Sequence, residues 1–256
     1  DQGARQCILV QQMSTTYVAS KRKDVKYVSQ QKIVKQIADF EENIQAMLLT
    51  APTSEIERAV EVVQTMWKNY KRLLINFEAI DEIQTFKTLE QGHVVMAACD
   101  QVNKRIKQHA ETIPAYQKIL PQNNKNTLMS EDVITQMELL NQLKVDAERT
   151  TLYFMMKTLD WDINLSVKRL SASKMNFEML IKELDSKIIE EHRRTLLMEI
   201  KSAWEALSYL YEKGTSEDLL EARAYYQELA QKLNKLDDAC VYELNQLFAQ
   251  DLEVNY

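Results

Sequence analysis

Glu90 and His93, in the stretch LEQGH, stand three residues apart. At that spacing a carboxylate and an imidazole share one face of a helix and can hold a metal. Di-iron bundles need two such pairs and two further inward glutamates, and the matching stretch in the second half of the chain supplies none. A metal centre is therefore not expected. The remaining histidines are His109 and His192. Cys7, Cys99 and Cys240 are odd in number and lack metal-site spacing, so they read as small core residues that fix no redox compartment. No glycine-rich phosphate loop, haem-attachment motif or nucleophile elbow occurs, and neither an enzyme nor a cofactor is expected.

The opening stretch GARQCILVQQMSTTYV, residues 3–18, is the other place where chemistry could sit. Its residues suit a helix, yet Arg5, Gln6, Gln11, Gln12, Ser14, Thr15 and Thr16 interrupt every apolar stripe. Arg5 offers a planar fork of donors that matches an oxyanion in two places at once. At 3.6 residues per turn, Gln12 projects from nearly the same face as Arg5, while Gln6 and Gln11 flank it at about 100° and 120°. Such a face suits a ligand or a partner helix. The other reading is an Arg5 that snorkels from a frayed helix end, with the Gln and Thr residues facing water.

Long helices must position these residues. Among 256 residues there are 3 glycines and 3 prolines, where average usage of about 7% and 5% would give roughly thirty. Turns and hairpins depend on those two residues, so a sheet-rich fold is disfavoured. A hydrophobic fraction of 45% supplies a real core and argues against disorder. The net charge of −6 argues against nucleic acid as a principal partner. The basic run Lys21-Arg22-Lys23, closed off by Asp24, reads as a solvated loop. No apolar run reaches the roughly 18 residues of a membrane span, and no stretch reads as a signal peptide. The 11 methionines fall within apolar stripes and read as core filler.

The chain also repeats itself. Phe40-Glu41 and Phe177-Glu178 lie 137 residues apart, and so do Trp67 and Trp204. The same shift carries Ile33 to Leu170, Ile44 to Ile181, Met47 to Leu184, Val60 to Leu197, Val63 to Ile200 and Asp100 to Asp237. One shift held over about 30 residues with matched rare aromatics signals an internal duplication. Ile56, Val60, Val63, Trp67, Tyr70, Leu74 and Phe77 alternate by fours and threes, as the seam of a bundle helix does. Ile33, Ile37, Phe40, Ile44 and Met47 do the same one helix earlier. Between them Pro52 stops a helix, and Ser54 with Glu57 forms a capping box. In the second copy Gly214 ends a helix and Thr215 caps the next, and the fourth helices are expected over roughly 80–112 and 216–250. The expected fold is all-α: two tandem four-helix up-down bundles at 1–112 and 131–256, joined by a junction at 113–130 that carries Pro114 and Pro121.

On these residues the chain resembles a known family. ARQCILVQQMSTTY is similar to the opening motif of the PilJ-type domain, the sensory N-terminal module of type IV pili methyl-accepting chemotaxis transducers. It is also similar to the related element of nitrate/nitrite sensor ectodomains. That pattern runs Gly-Arg-Gln-Arg-Met-Leu-Ser-Gln-Arg-Met-Ala-Lys and then an aromatic. Arg5, Gln6, Leu9, Gln11, Met13 and Tyr17 stand at its places, whereas Cys7 and Gln12 stand where it carries its second and third arginines. In the second copy Arg149 matches Arg5 at a shift of 144, with Thr151 and Met156 at the other two places. The resemblance implies a periplasmic location and an arginine on the first helix that holds a small anion near a dimer interface. It thereby nominates Arg5, Gln6, Gln11, Gln12 and Arg149 as ligand-binding residues.

Two functions follow as expectations. One is an extracytoplasmic sensory module of a chemoreceptor or sensor kinase, which binds a small molecule or anion and signals by a small helix shift. The other is a structural or adaptor bundle that binds a protein partner or a second copy and has lost small-ligand binding.

Overall fold

The computed structural model describes residues 2–21, 26–77, 81–112 and 124–254. The protein is all-α, and no strand occurs among the described residues. Its helices are α1 (Gln2–Ala19), α2 (Lys26–Thr50), α3 (Ser54–Leu74), α4 (Glu82–Thr112), α5 (Asn124–Thr158), α6 (Ile163–Lys187), α7 (Glu191–Lys213) and α8 (Leu219–Val254). A 3₁₀ turn at Ser216–Asp218 leads into α8. The chain divides into two compact units, Asp1–Ala110 and Glu111–Tyr256. Most of the expected junction, including Pro114 and Pro121, lies outside the described residues, and 124–130 already belong to α5. Arg22, Lys23 and Asp24 of the basic run also lie outside them.

Local signals set the helix ends. Thr53, one residue before the expected Ser54, caps α3 by accepting from the Ile56 amide at 3.2 Å. Pro52 sits just outside the helix, and Glu55 and Glu57 occupy a first turn where negative charge is favourable. The Glu190 carboxylate caps α7 by accepting from the amides of His192 and Arg193, each at 2.8 Å. Thr215 and Asp218 form a reciprocal capping box at the 3₁₀ turn. Gly214 follows α7 in an extended conformation, so its role is space rather than a left-handed turn. A Cβ there would lie 2.3 Å from the Leu210 carbonyl oxygen and 3.1 Å from the Phe154 ring.

Cross-helix contacts fix the topology of each unit. In the first, Cys7 reaches Met96 and Asp100 while Gly92 lies against Ser14, so α1 and α4 run antiparallel. Arg105 pairs with Glu55 and Gly92 meets Tyr70, which makes α3 and α4 antiparallel. Phe40 and Glu41 meet Trp67 across α2 and α3. In the second unit, Gln136 meets Lys187 and Asp146 meets Asn176 across α5 and α6. Lys144 meets Asp237 across α5 and α8. Each unit is therefore an up-down four-helix bundle.

Both cores are built around the same aromatic stack. Phe40 and Trp67 lie 4.2 Å apart, with Tyr70 edge-on to the indole at 5.8 Å. Phe177 and Trp204 lie 3.8 Å apart, with Tyr211 edge-on at 6.3 Å. All six rings are buried. The tyrosines, however, sit three residues after Trp67 and seven after Trp204. That is one helical turn further on the same face.

Candidate functional site

α1 is buried around most of its circumference, which explains why no single apolar stripe can be drawn on it. Cys7, Leu9, Val10, Met13, Tyr17 and Val18 are in the core, and so are Gln6, Gln11, Ser14, Thr16 and Ser20. The serine and threonine hydroxyls are satisfied, whereas the buried Tyr17 hydroxyl has no hydrogen-bond partner. Thr16 donates to the Gln12 carbonyl at 2.7 Å, and Ser20 donates to that of Tyr17 at 2.6 Å. The Ser14 and Tyr70 hydroxyls meet at 2.8 Å, and Tyr70 also reaches the Val10 carbonyl at 3.3 Å.

The glutamines are not satisfied. Gln6 is 0% exposed, and neither its amide nitrogen nor its oxygen has a hydrogen-bond partner. Gln11 is 1% exposed, and its nitrogen is also unpartnered. On α2 the buried Gln36 has an unpartnered side-chain oxygen. A buried amide without partners costs about 1–3 kcal/mol. Gln6 and Gln11 on α1 and Gln36 on α2, two helices in contact, thus carry four buried amide atoms with unused hydrogen-bonding capacity. Arg5 lies outside this set, because its side chain is exposed, and Gln12 is half-buried.

At the other end of α1, the Lys21 ammonium stands 4.2 Å from the centre of the Tyr17 ring and has no hydrogen-bond acceptor. Burial pulls its pKa down to about 7; the nearby Asp81 carboxylate opposes that fall and Lys26 adds to it. Burial likewise raises the Tyr17 phenol, with Thr88 working the other way.

The second unit handles the corresponding positions differently. The contact of Ser14 with Tyr70 recurs as Thr151 with Tyr211 at 2.6 Å, and that of Cys7 with Asp100 recurs as Lys144 with Asp237 at 2.7 Å. These first-helix and Asp pairs hold the spacing of 137 residues rather than 144. Arg149 therefore corresponds to Gln12, and the exposed Gln142 takes the place of Arg5. Leu143, fully buried, stands in for Gln6, and Glu148 stands in for Gln11.

At these places in α5, Lys144, Glu148 and Arg149 each have a partner. Arg149 donates to Asp146 at 2.7 Å, Asn176 donates to the other oxygen of Asp146, and Tyr226 donates to Glu148. Burial pushes the Asp146 carboxyl up, against the Arg149 charge and the Asn176 hydrogen bond. Lys144 and Arg149 thus stand at the places of Cys7 and Gln12, and each is paired with a carboxylate.

An open groove of about 410 Å³ lies in the second unit between α6 and the end of α7. Lys157, Leu170, Lys174, Met175, Glu178 and Glu212 line it. Lys174 is ion-paired with Glu212, and Lys157 covers the last carbonyls of α7, so both cations are occupied. Glu90 and His93 are exposed, and among the described residues no group of three or more His, Cys, Asp or Glu is placed to hold a metal.

The structure brings Gln6 and Gln11 into one core and leaves Arg5 and Arg149 out of it. Gln36 escaped the sequence reading. Its signal is a polar residue three after Ile33 and four before Phe40, at core-facing spacing. No family model, curated protein or solved structure matches the chain.

Proposed function

We propose that the chain is an extracytoplasmic sensory module of the chemoreceptor or sensor-kinase kind, and that its first unit binds a small polar molecule against α1 and α2. One observation carries this reading: Gln6 is fully buried with both amide atoms unpartnered. At the matching positions the second unit places an apolar Leu143 and polar groups that have partners. The resemblance of the opening stretch to the PilJ-type motif supports a sensory role and a periplasmic location. With Arg5 exposed and the interior lined by amides, the ligand is neutral or singly charged and recognised through paired donors and acceptors. Binding would signal through a small shift of α1 against its neighbours, the kind of two-position element that bundles provide.

A thermal-shift screen tests the reading, because a ligand bound only by the folded state raises the melting temperature. Nitrate, nitrite, small carboxylates, amides and amino acids are the compounds to screen. A rise of several degrees with one class supports a sensor; no rise with any of them removes the support.

A second reading, an adaptor for a protein partner, is favoured by α6. Val167, Met175 and Met179 are exposed on that helix, and exposed methionines suit an adaptable protein surface.

A further inference from the structure

We infer that Cys7 and Cys99 form a reversible dithiol–disulfide site that ties α1 to α4 when oxidised. Both side chains are buried and free, at 7% and 2% exposure. The Cys7 sulfur lies against one face of α4: 3.8 Å from the Met96 carbonyl oxygen, 4.0 Å from the Asp100 carboxylate and 3.9 Å from the Asn103 amide nitrogen. Positions 96, 99, 100 and 103 are one helical face, so the buried Cys99 stands on the face of α4 that the Cys7 sulfur lies against. This inference does not depend on the ligand-binding reading.

The two thiols are not equivalent. The interaction of the Cys99 thiol, as donor, with the Cys7 sulfur, and then burial, push the Cys99 thiol well above its ordinary range. Asn103 donates toward the Cys7 sulfur, and Asp100 is placed to take its proton. Cys7 is therefore the sulfur that attacks first and Cys99 the one that resolves. The oxidant is a small-molecule disulfide. Cys7, deprotonated, attacks one of its sulfurs; that S–S bond breaks, and the first thiol leaves with a proton. Cys99 then loses its proton and attacks the Cys7 sulfur, which breaks the mixed disulfide and releases the second thiol. One disulfide is reduced to two thiols as the two cysteines are oxidised to one disulfide, so atoms and electrons balance.

The second unit shows that its version of the fold needs no thiols here. It joins the same helix pair through the Lys144–Asp237 ion pair, and Leu236 stands at the place of Cys99. Cys240 serves as an internal control, because it is buried beside Gln136 and burial raises its thiol to about 11.

The test is to incubate the full chain under native conditions with oxidised glutathione, then measure intact mass and map the peptides. The expected result is loss of the mass of two hydrogens, a peptide link between Cys7 and Cys99, and an unmodified Cys240. The link closes a loop of 92 residues (99 − 7), so the melting temperature should rise by roughly 5 °C or more. In Cys99→Ala the glutathione should stay on Cys7. Unchanged mass in the wild type, glutathione retained on its cysteines, or a bare Cys7 in Cys99→Ala would each overturn the inference.

Discussion

Arg5 and Gln6 are adjacent in α1 and lie on opposite sides of the core boundary, one exposed and the other fully buried without a hydrogen-bond partner. A charged fork and a neutral amide at these two places define different binding chemistries. The burial pattern makes the amide the interior group. Several consequences of this core can be measured.

The two tryptophans occupy the centres of their units but differ in one hydrogen bond. Trp67 donates to Glu41 at 2.9 Å, while the Trp204 indole N–H has no partner. Either Trp→Ala change should cost about 3–5 kcal/mol in urea unfolding. Trp67→Phe should cost about 0.5–1.5 kcal/mol more than Trp204→Phe, the usual net worth of one hydrogen bond. Equal costs for the two Phe variants would show that the Glu41 bond contributes nothing.

Gly92 sits where α1, α3 and α4 come together. A Cβ there would lie 3.0 Å from the Ser14 hydroxyl oxygen and 3.3 Å from the Tyr70 ring, at the bond joining those two residues. Alanine's better helix propensity would add about 1 kcal/mol, but overpacking costs about 1–3 kcal/mol. Gly92→Ala should therefore show a net loss of about 1 kcal/mol. A gain in stability would mean that the three helices are not tightly apposed there.

Lys21 gives the first unit a pH dependence of known sign. Its folded pKa is lowered from 10.5 to about 7, first by burial and further by Lys26, with Asp81 opposing. Between those values the unfolded chain holds a proton that the native chain has released, so stability rises with pH across that window. Burial raises the Tyr70 phenol and reverses the trend near its ordinary value of 10, so the comparison belongs between about pH 7 and about pH 9. The melting temperature of wild type should rise over this range relative to Lys21→Met. Parallel curves would show that Lys21 is solvated in the native state.

The bundle was legible in the sequence because its signals are local. Scarce Gly and Pro, the alternation from Ile56 to Leu74, and the 137-residue spacing of Phe40 and Trp67 from Phe177 and Trp204 each restrict the fold. The site was less legible. Rotation about α1 was read from the place of Arg5 in a motif, whereas burial depends on how many neighbours surround the helix. A helix enclosed nearly all round has no polar face to find. The shift of 144 that paired Arg149 with Arg5 rested on residue type; the contacts of Cys7 with Asp100 and of Lys144 with Asp237 give 137 instead. Cys7 and Cys99 are far apart in sequence, and only the antiparallel pairing of α1 with α4 brings them together.

The most direct measurement compares melting temperatures of wild type, Gln6→Leu and Arg5→Ala, each with and without the compound that shifts the wild type most. Leucine is what the second unit carries at the matching position, Leu143. The expected result is that Gln6→Leu stabilises the ligand-free protein by about 1–3 kcal/mol, since it removes an unsatisfied buried amide, and abolishes the ligand-induced rise. Arg5→Ala, on the exposed side, should leave both quantities unchanged. A Gln6→Leu protein that is less stable than wild type and keeps the full ligand-induced rise would contradict a binding site at the α1 interior.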